Sequence, residues 1–343
     1  MNKIFTFLLF LCTFVVLAQT PHTDPHWIVN TKFSDEFDGN KNAIWQEYKL
    51  TDFLGSALGD PANIQYGTEN QRTYIRFIAE MKNGTPYSAG VRVGLNYGNQ
   101  LSSHPGLGYG YYEIEGRLLQ TPNIQSGLWP AFWLQHGNNV QKPYWYEELD
   151  IFEPDNCQVR ENNHHVSFHY YPDPDTAKFF SDTYSKYNVD MSQWHKYAVE
   201  WLPERVTFYL DDVAFFVISD RPTPYRQNTN LFIDLQTDDS AKCPPDILDG
   251  LLGCFDVNYF RYYQLKYDCN TVVTQIPNFN TYNYAVKKSI SLSSTTTIPA
   301  NSNITLRATD FIELQPGFSI DTGRELYLDV NPCDNTARVK KQD

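Results

Sequence analysis

The segment YEELDIFEPDN, residues 146–156, places three carboxylates in an apolar frame. Glu148, Asp150 and Glu153 are interleaved with Leu149, Ile151 and Phe152. The frame reads as a β-strand, in which residues two apart share a face. Glu148 and Asp150 therefore point one way, and Glu153, an odd step from both, points the other. Charged strand positions are ordinarily a solvated face, and like charges this close repel. Here the neighbouring runs WPAFWLQ and FHYY are aromatic, and the frame residues are large enough to pack. Glycoside hydrolysis with retention needs such a grouping. One carboxylate attacks the anomeric carbon; a second, about 5–5.5 Å away, protonates the leaving oxygen and then activates water. Same-face neighbours on a strand lie roughly 6.5–7 Å apart, so acids leaning together reach that gap. A third carboxyl between them can share a proton and separate the outer pKa values. For Glu153 to join the other two the strand needs one extra residue, so the parity predicts a β-bulge within Ile151–Phe152.

The elements that must position these acids read as strands. From about residue 27 to 267, short β-branched or aromatic runs are separated by Gly, Pro, Asn and Asp: GYYEIEGRL, GLWPAFWLQ, HVSFHYY, KYAVEWL, RVTFYLDD, NYFRYYQLKY. Val206, Phe208 and Leu210 alternate with Thr207, Tyr209 and Asp211. About a dozen such runs predict an all-β sandwich or barrel. Only PPDILDGLLG has a helical look. Near Cys269 the chain turns rich in Thr, Ser and Asn. ITLRATDFIELQPGFSIDTGRELYLDV then predicts three or four very short strands with Gly317 and Gly323 at turns. Residues 269–333 thus read as a separate small β module with a thin core, followed by a polar tail, 334–343.

The first residues carry Lys3, an apolar run from Ile4 to Leu17 and small Ala18. This predicts a signal peptide over 1–18 and an exported, soluble mature chain beginning at 19. The formal charge of −13 becomes about −14 when Lys3 leaves with no acid, which argues against nucleic acid as a partner. With 24 Tyr, 22 Phe and 7 Trp, the chain has rings enough to line a sugar cleft or merely to fill a β core. Five cysteines remain after the signal, so one is left over. Cys243–Cys254 could close a loop and Cys269–Cys333 could staple the C-terminal module, leaving Cys157 odd.

EELDIFE resembles the signature of glycoside hydrolase family 16, E-x-D-x-x-E, in its bulged form. FSDEFDG with Trp45, GYGYYEIEGRL, SGLWPAFWLQ, WHKYAVEWLPERVTFYLDD and FDVNYFRYYQ follow that family in order, over roughly residues 33–264. The resemblance implies a concanavalin-like β-jelly-roll of two curved antiparallel sheets over 19–268, with the cleft on the concave face. It also implies Glu148 as nucleophile, Glu153 as acid/base and Asp150 as the assisting acid. Trp129, Trp133, Tyr146, His169 and Tyr171 fall at positions that would line the sugar site. There are departures. Val91 stands where many laminarin-cleaving members have Arg, with Arg92 one later, and Glu147 stands where Gly often precedes the nucleophile. No cofactor is required. The family's frequent structural calcium would find Asn258, a neutral ligand, in place of an Asp. The implied protein is a secreted, monomeric, endo-acting retaining β-glycanase with a polysaccharide partner and no membrane span. Its first-choice substrate is β-1,3- or mixed β-1,3/1,4-glucan. An algal galactan is the enzyme alternative, and a non-catalytic glucan-binding jelly-roll lectin the alternative of another class. The C-terminal module resembles small β modules at the ends of secreted bacterial proteins.

Overall fold

The computed structural model describes residues 27–93, 107–123, 125–138, 145–154, 162–170, 180–202, 205–218, 229–237, 245–279, 282, 285–298, 303–322 and 324–330. The signal segment, Cys157, Tyr171, Cys243, Gly323 and Cys333 lie outside the described residues.

Twenty-two strands, numbered in chain order, form three sheets among these residues. The first has eleven strands, nine of them in the spatial order β16 (Val213–Ile218), β15 (Arg205–Leu210), β14 (His195–Leu202), β9 (Gly110–Gln120), β18 (Gly250–Leu265), β6 (Arg72–Lys82), β7 (Thr85–Ser88), β4 (Ala57–Gly59) and β3 (Phe53–Leu54). Off that path, β1 (Trp27–Val29) pairs with β18 and β5 (Ile64–Glu69) with β6. The second sheet has seven antiparallel strands: β13 (Phe180–Lys186), β12 (His164–Tyr170), β11 (Trp145–Phe152), β10 (Leu128–Asn138), β17 (Asn230–Thr237), β8 (Gly90–Val93) and β2 (Gln46–Glu47).

One apolar core lies between these sheets. Phe77, Ile114, Val199, Phe208 and Phe255 come from the first sheet; Val91, Phe132, Leu149, Phe168 and Ile233 come from the second. Alternation explains the pairing of faces. In β17, Leu231, Ile233 and Leu235 enter the core, while Phe232, Asp234 and Gln236 turn outward. Within PPDILDGLLG the described residues, 245–253, are not helical. Gly250, at φ 122°, opens β18, in which Leu251 is exposed and Leu252 is fully buried. Cys254 sits inside β18 opposite Leu119 and Ile78 as a buried free thiol, which overturns the Cys243–Cys254 bridge.

The third sheet contains β19 (Tyr267–Val273), β20 (Val286–Leu292), β21 (Asn303–Leu314) and β22 (Glu325–Val330), each parallel to the next. It has its own small core of Ile276, Phe279, Ile290, Leu292, Ile298, Ile304, Leu306 and Ala308. Among the described residues, no helix is long and apolar enough to cross a membrane.

Candidate active site

The outward face of the seven-stranded sheet carries the acids. In the pairing of β10 with β11, Phe132 opposes Phe152 and Trp133 opposes Asp150, so the register skips Ile151. Ile151 is the extra residue that the parity of Glu153 requires. Ile151 and Phe152, consecutive in sequence, both lie in the core. The bulge thus consumes one step of alternation, and the next side chain emerges on the face of Glu148 and Asp150. The Glu153 N–H donates to the His165 carbonyl at 3.0 Å, which holds the bulged segment against β12.

The acids interact. Asp150 and Glu153 are hydrogen-bonded through their side chains, and each feels the charge of Glu148. A ligand atom from each of Glu148, Asp150 and His169 lies within 4.8 Å of the other two. Gln135 Nε2 donates to Glu148 Oε2 at 3.3 Å, and Ser167 Oγ donates to Asp150 Oδ2. Burial pushes the Asp150 carboxyl well above its usual range; the charges of Glu153 and Glu148 add to this, and the Ser167 bond opposes it. Burial also pushes Glu153 up to about 8, helped by the charges of Glu148 and Asp234. His169 Nε2 is 3.6 Å from Asp150 Oδ2, yet burial lowers its pKa, which favours the neutral imidazole. At neutral pH the site can therefore offer a proton from the Asp150–Glu153 pair beside a separate carboxylate, Glu148.

The aromatic candidates divide. Trp129 and Trp133 are half-buried on β10, alternating with core Leu128, Phe132 and Leu134. Trp133 stacks on Phe232 with ring centroids 4.1 Å apart and an 18° interplanar angle. The Trp129 indole lies beside the Glu153 carboxyl. Tyr146 lies in β11 opposite Gly137, and its side chain is outside the described residues, as is the whole of Tyr171. Glu147 is buried and has the parity of Leu149, so it neither faces solvent nor shares the face of the other acids. Arg92, one residue later than the family pattern, pairs with Phe232 and Gln46 on the outward face. Its guanidinium lies 4.8 Å from the Tyr48 ring and 3.3 Å from Asp52.

Sequence reasoning missed a wall on this face. Tyr48, Leu54 and Ala57 pack on Phe232, with Trp133 against them. The wall is tied to β17: Ser56 N–H donates to the Thr237 carbonyl at 2.8 Å. At Gly55, φ 63°, any Cβ would fall 2.2 Å from that same carbonyl oxygen, so no larger residue fits. Asp234 was missed too. It is fully buried and accepts from Tyr48 Oη at 3.0 Å, Trp133 Nε1 at 3.2 Å and Gln236 Nε2 at 3.0 Å. The alternation of NLFIDLQT places it on the site face. Two of its three donors, Tyr48 and Trp133, lie more than a hundred positions away. At the place of the family's calcium, Asn258 donates its amide to Glu115, whose carboxylate already binds Arg72 at 3.0 Å. A guanidinium supplies the positive charge there, and the residues do not fit a hard cation.

Comparison with known proteins agrees with this architecture. Among curated relatives, the endo-1,3-1,4-β-glycanase EglC of Rhizobium meliloti (strain 1021) is 27% identical over 234 residues, covering 67% of this chain and 45% of the relative. The chain thus spans less than half the length of that relative. Among solved structures, the Bacteroides ovatus mixed linkage glucan GH16 protein, in complex with G4G4G3G product, superposes with a TM-score of 0.52. It is 21% identical, and the match covers 67% of this chain and 99% of that one. A 1,3-alpha-1,4-beta-D-galactose-4-sulfate-3,6-anhydro-D-galactose 4 galactohydrolase reaches the same TM-score of 0.52 at 16% identity, covering 72% of this chain and 98% of its own. At those identities the likeness is one of fold. The Glycosyl hydrolases family 16 model matches residues 60–233, a span that contains the bulged acidic strand and its paired neighbours β10 and β12, and the chain belongs to that family.

Proposed function

We propose that the protein is a secreted, endo-acting β-glycanase that hydrolyses β-1,3- or mixed β-1,3/1,4-glucan with retention. The observation that carries this reading is the bulge at Ile151, which brings Glu153 to the face of Glu148 and Asp150. Glu148 attacks the anomeric carbon. Glu153, protonated at neutral pH by its raised pKa, gives its proton to the leaving oxygen. It then takes a proton from the water that cleaves the glycosyl–enzyme ester. Asp150, hydrogen-bonded to Glu153 and within reach of Glu148, balances charge between them. Trp133 and Trp129 offer ring faces to the sugar, and His169 a neutral ring nitrogen. Curated relatives named as endo-1,3-1,4-β-glycanases support the glucan preference.

A galactan reading is favoured by the galactohydrolase neighbour of similar fold. The charge of −13 and the buried acids of the site weigh against a sulfated chain. Reducing-end release over laminarin, lichenan, xyloglucan, agarose and carrageenans, with product sizing, tests both. Glucan oligomers of mixed length support the proposal, products from galactans alone replace the substrate, and glucan binding without any release supports the lectin. Glu148→Ala should abolish turnover and keep binding. Rescue by azide should give a glycosyl azide of inverted configuration, and the same product from a Glu153 variant would reverse the two roles.

A further inference from the structure

Asp234 is a fully buried carboxylate on the outward face of β17, between Gly90 of β8 and Ala131 of β10. Its three hydrogen-bond donors, Tyr48, Trp133 and Gln236, are all neutral. The facing cation is Arg92, itself bound to Asp52. Glu153 lies two strands away in the same row: it follows Phe152, which opposes Phe132, and Ala131 next to Phe132 opposes Asp234, whose charge acts on the Glu153 carboxyl. Burying a carboxylate on neutral donors is costly, and an amide oxygen could accept the two bonds that Oδ2 takes from Tyr48 and Trp133 at less cost. Space is nevertheless cleared for it: a Cβ on Gly90 would meet Asp234 Cβ at 2.3 Å and its Cα at 2.8 Å. One of the three donors is the indole of Trp133, whose face is fixed on Phe232 and whose backbone opposes Asp150. The indole is thus held on one face and at its N–H, and the ring is only partly buried.

We propose that Asp234 is a positioning residue for the glycanase chemistry, clamping Trp133 as a fixed sugar platform and acting through its charge to keep the proton on Glu153. This rests on the glycanase reading of the site. The carboxylate never touches the reacting atoms. It sets the plane on which the sugar rests, and its negative field disfavours ionisation of the acid/base. A merely structural Asp would hold the wall and leave the proton on Glu153 unaffected.

The test uses the full chain. The indole ¹H–¹⁵N resonance of Trp133, identified by its absence in Trp133→Phe, should titrate with a midpoint near 6, because burial raises Asp234 to about 6. Asp234→Asn should abolish that step. Tyr48→Phe, which removes one bond to the charged form, should move it to higher pH. In turnover, Asp234→Asn should shift the alkaline limb of kcat/KM to lower pH and raise KM roughly tenfold, the order of one lost charge-assisted hydrogen bond. Trp133→Phe should raise KM and leave that limb in place. A Trp133 resonance with no step near pH 6, or with the same step in Asp234→Asn and Tyr48→Phe, overturns the clamp. An unmoved alkaline limb in Asp234→Asn overturns the electrostatic role. Failure of the wild type to cleave any glycan sinks the glycanase reading alone, since the indole titration needs no turnover.

Discussion

Glu153→Gln should stabilise the protein, and by an amount that grows with pH. Burial and neighbouring charge raise the Glu153 carboxyl from 4.5 to about 8 in the folded chain. A carboxyl raised on folding contributes its stability fully below the unfolded pKa and loses it as pH rises through the folded one. The window is therefore 4.5 to about 8, a span of 8 − 4.5 = 3.5 units. At about 1.4 kcal/mol per unit the ceiling is about 5 kcal/mol. The carboxyl is half-buried and titrates together with Asp150, so solvent screening and the shared proton reduce the ceiling to about 2 kcal/mol. Gln keeps the shape and cannot ionise. Urea unfolding followed by tryptophan fluorescence at pH 5 and pH 9 reads the difference. The variant should nearly match the wild type at pH 5 and exceed it by about 2 kcal/mol at pH 9. An advantage equal at the two pH values, or a variant less stable at pH 9, would show that Glu153 is not held in a proton-retaining environment. The acid/base assignment would then lose its physical basis.

His164 is buried among Phe152, Tyr197 and Phe215, and burial lowers its pKa to about 3. Its neutral form is the folded one, so stability present above 6.5 is lost as pH falls towards 3; His164→Leu should move the acid-unfolding midpoint, read by near-ultraviolet circular dichroism, to lower pH. Gly90→Ala forces β8 away from β17, because the added methyl meets Asp234 at 2.3 Å; a loss of roughly 1–3 kcal/mol in urea is expected, and an unchanged midpoint would refute the close approach. Phe152→Ala empties a fully buried site beside the bulge and should cost about 3–5 kcal/mol, and the same cavity should lower turnover if the bulge loosens.

The bulge was legible because its signal is local. Parity is counted along one strand, and Glu153 is three residues from Asp150. The alternation that built the two sheets was legible for the same reason, as with Val206, Phe208 and Leu210, all in the core. The linkage of Tyr48, Trp133 and Asp234 was not, since Tyr48 and Trp133 lie 186 and 101 residues from Asp234 and meet it only when β10, β17 and the segment after β2 align. Leu251 and Leu252 misled because two leucines near Gly and Pro fit either period, and only burial on one side of β18 decides. The parallel order of β19 to β22 was hidden as well. Strand alternation is the same in parallel and antiparallel pairs, and direction is set by connections that carry no comparable pattern.

The two faces of the second sheet do opposite things to stability, and that opposition accounts for the site. Outward, Asp150, Glu153 and Asp234 are all raised, chiefly by burial, so each opposes folding as it ionises. Inward, Leu149, Ile151, Phe152, Phe168 and Ile233 join the core of the first sheet. A surface strand free to shift would relieve the acids by turning them to water. β11 cannot turn, because a slip of one residue would drive Leu149 and Phe152 outward and lose roughly 2 kcal/mol or more for each large side chain exposed. The apolar frame is thus what holds the carboxyls at positions their own charges resist. Ile151 belongs to that frame as much as to the bulge: its burial fixes where the extra residue sits, and with it the face on which Glu153 appears.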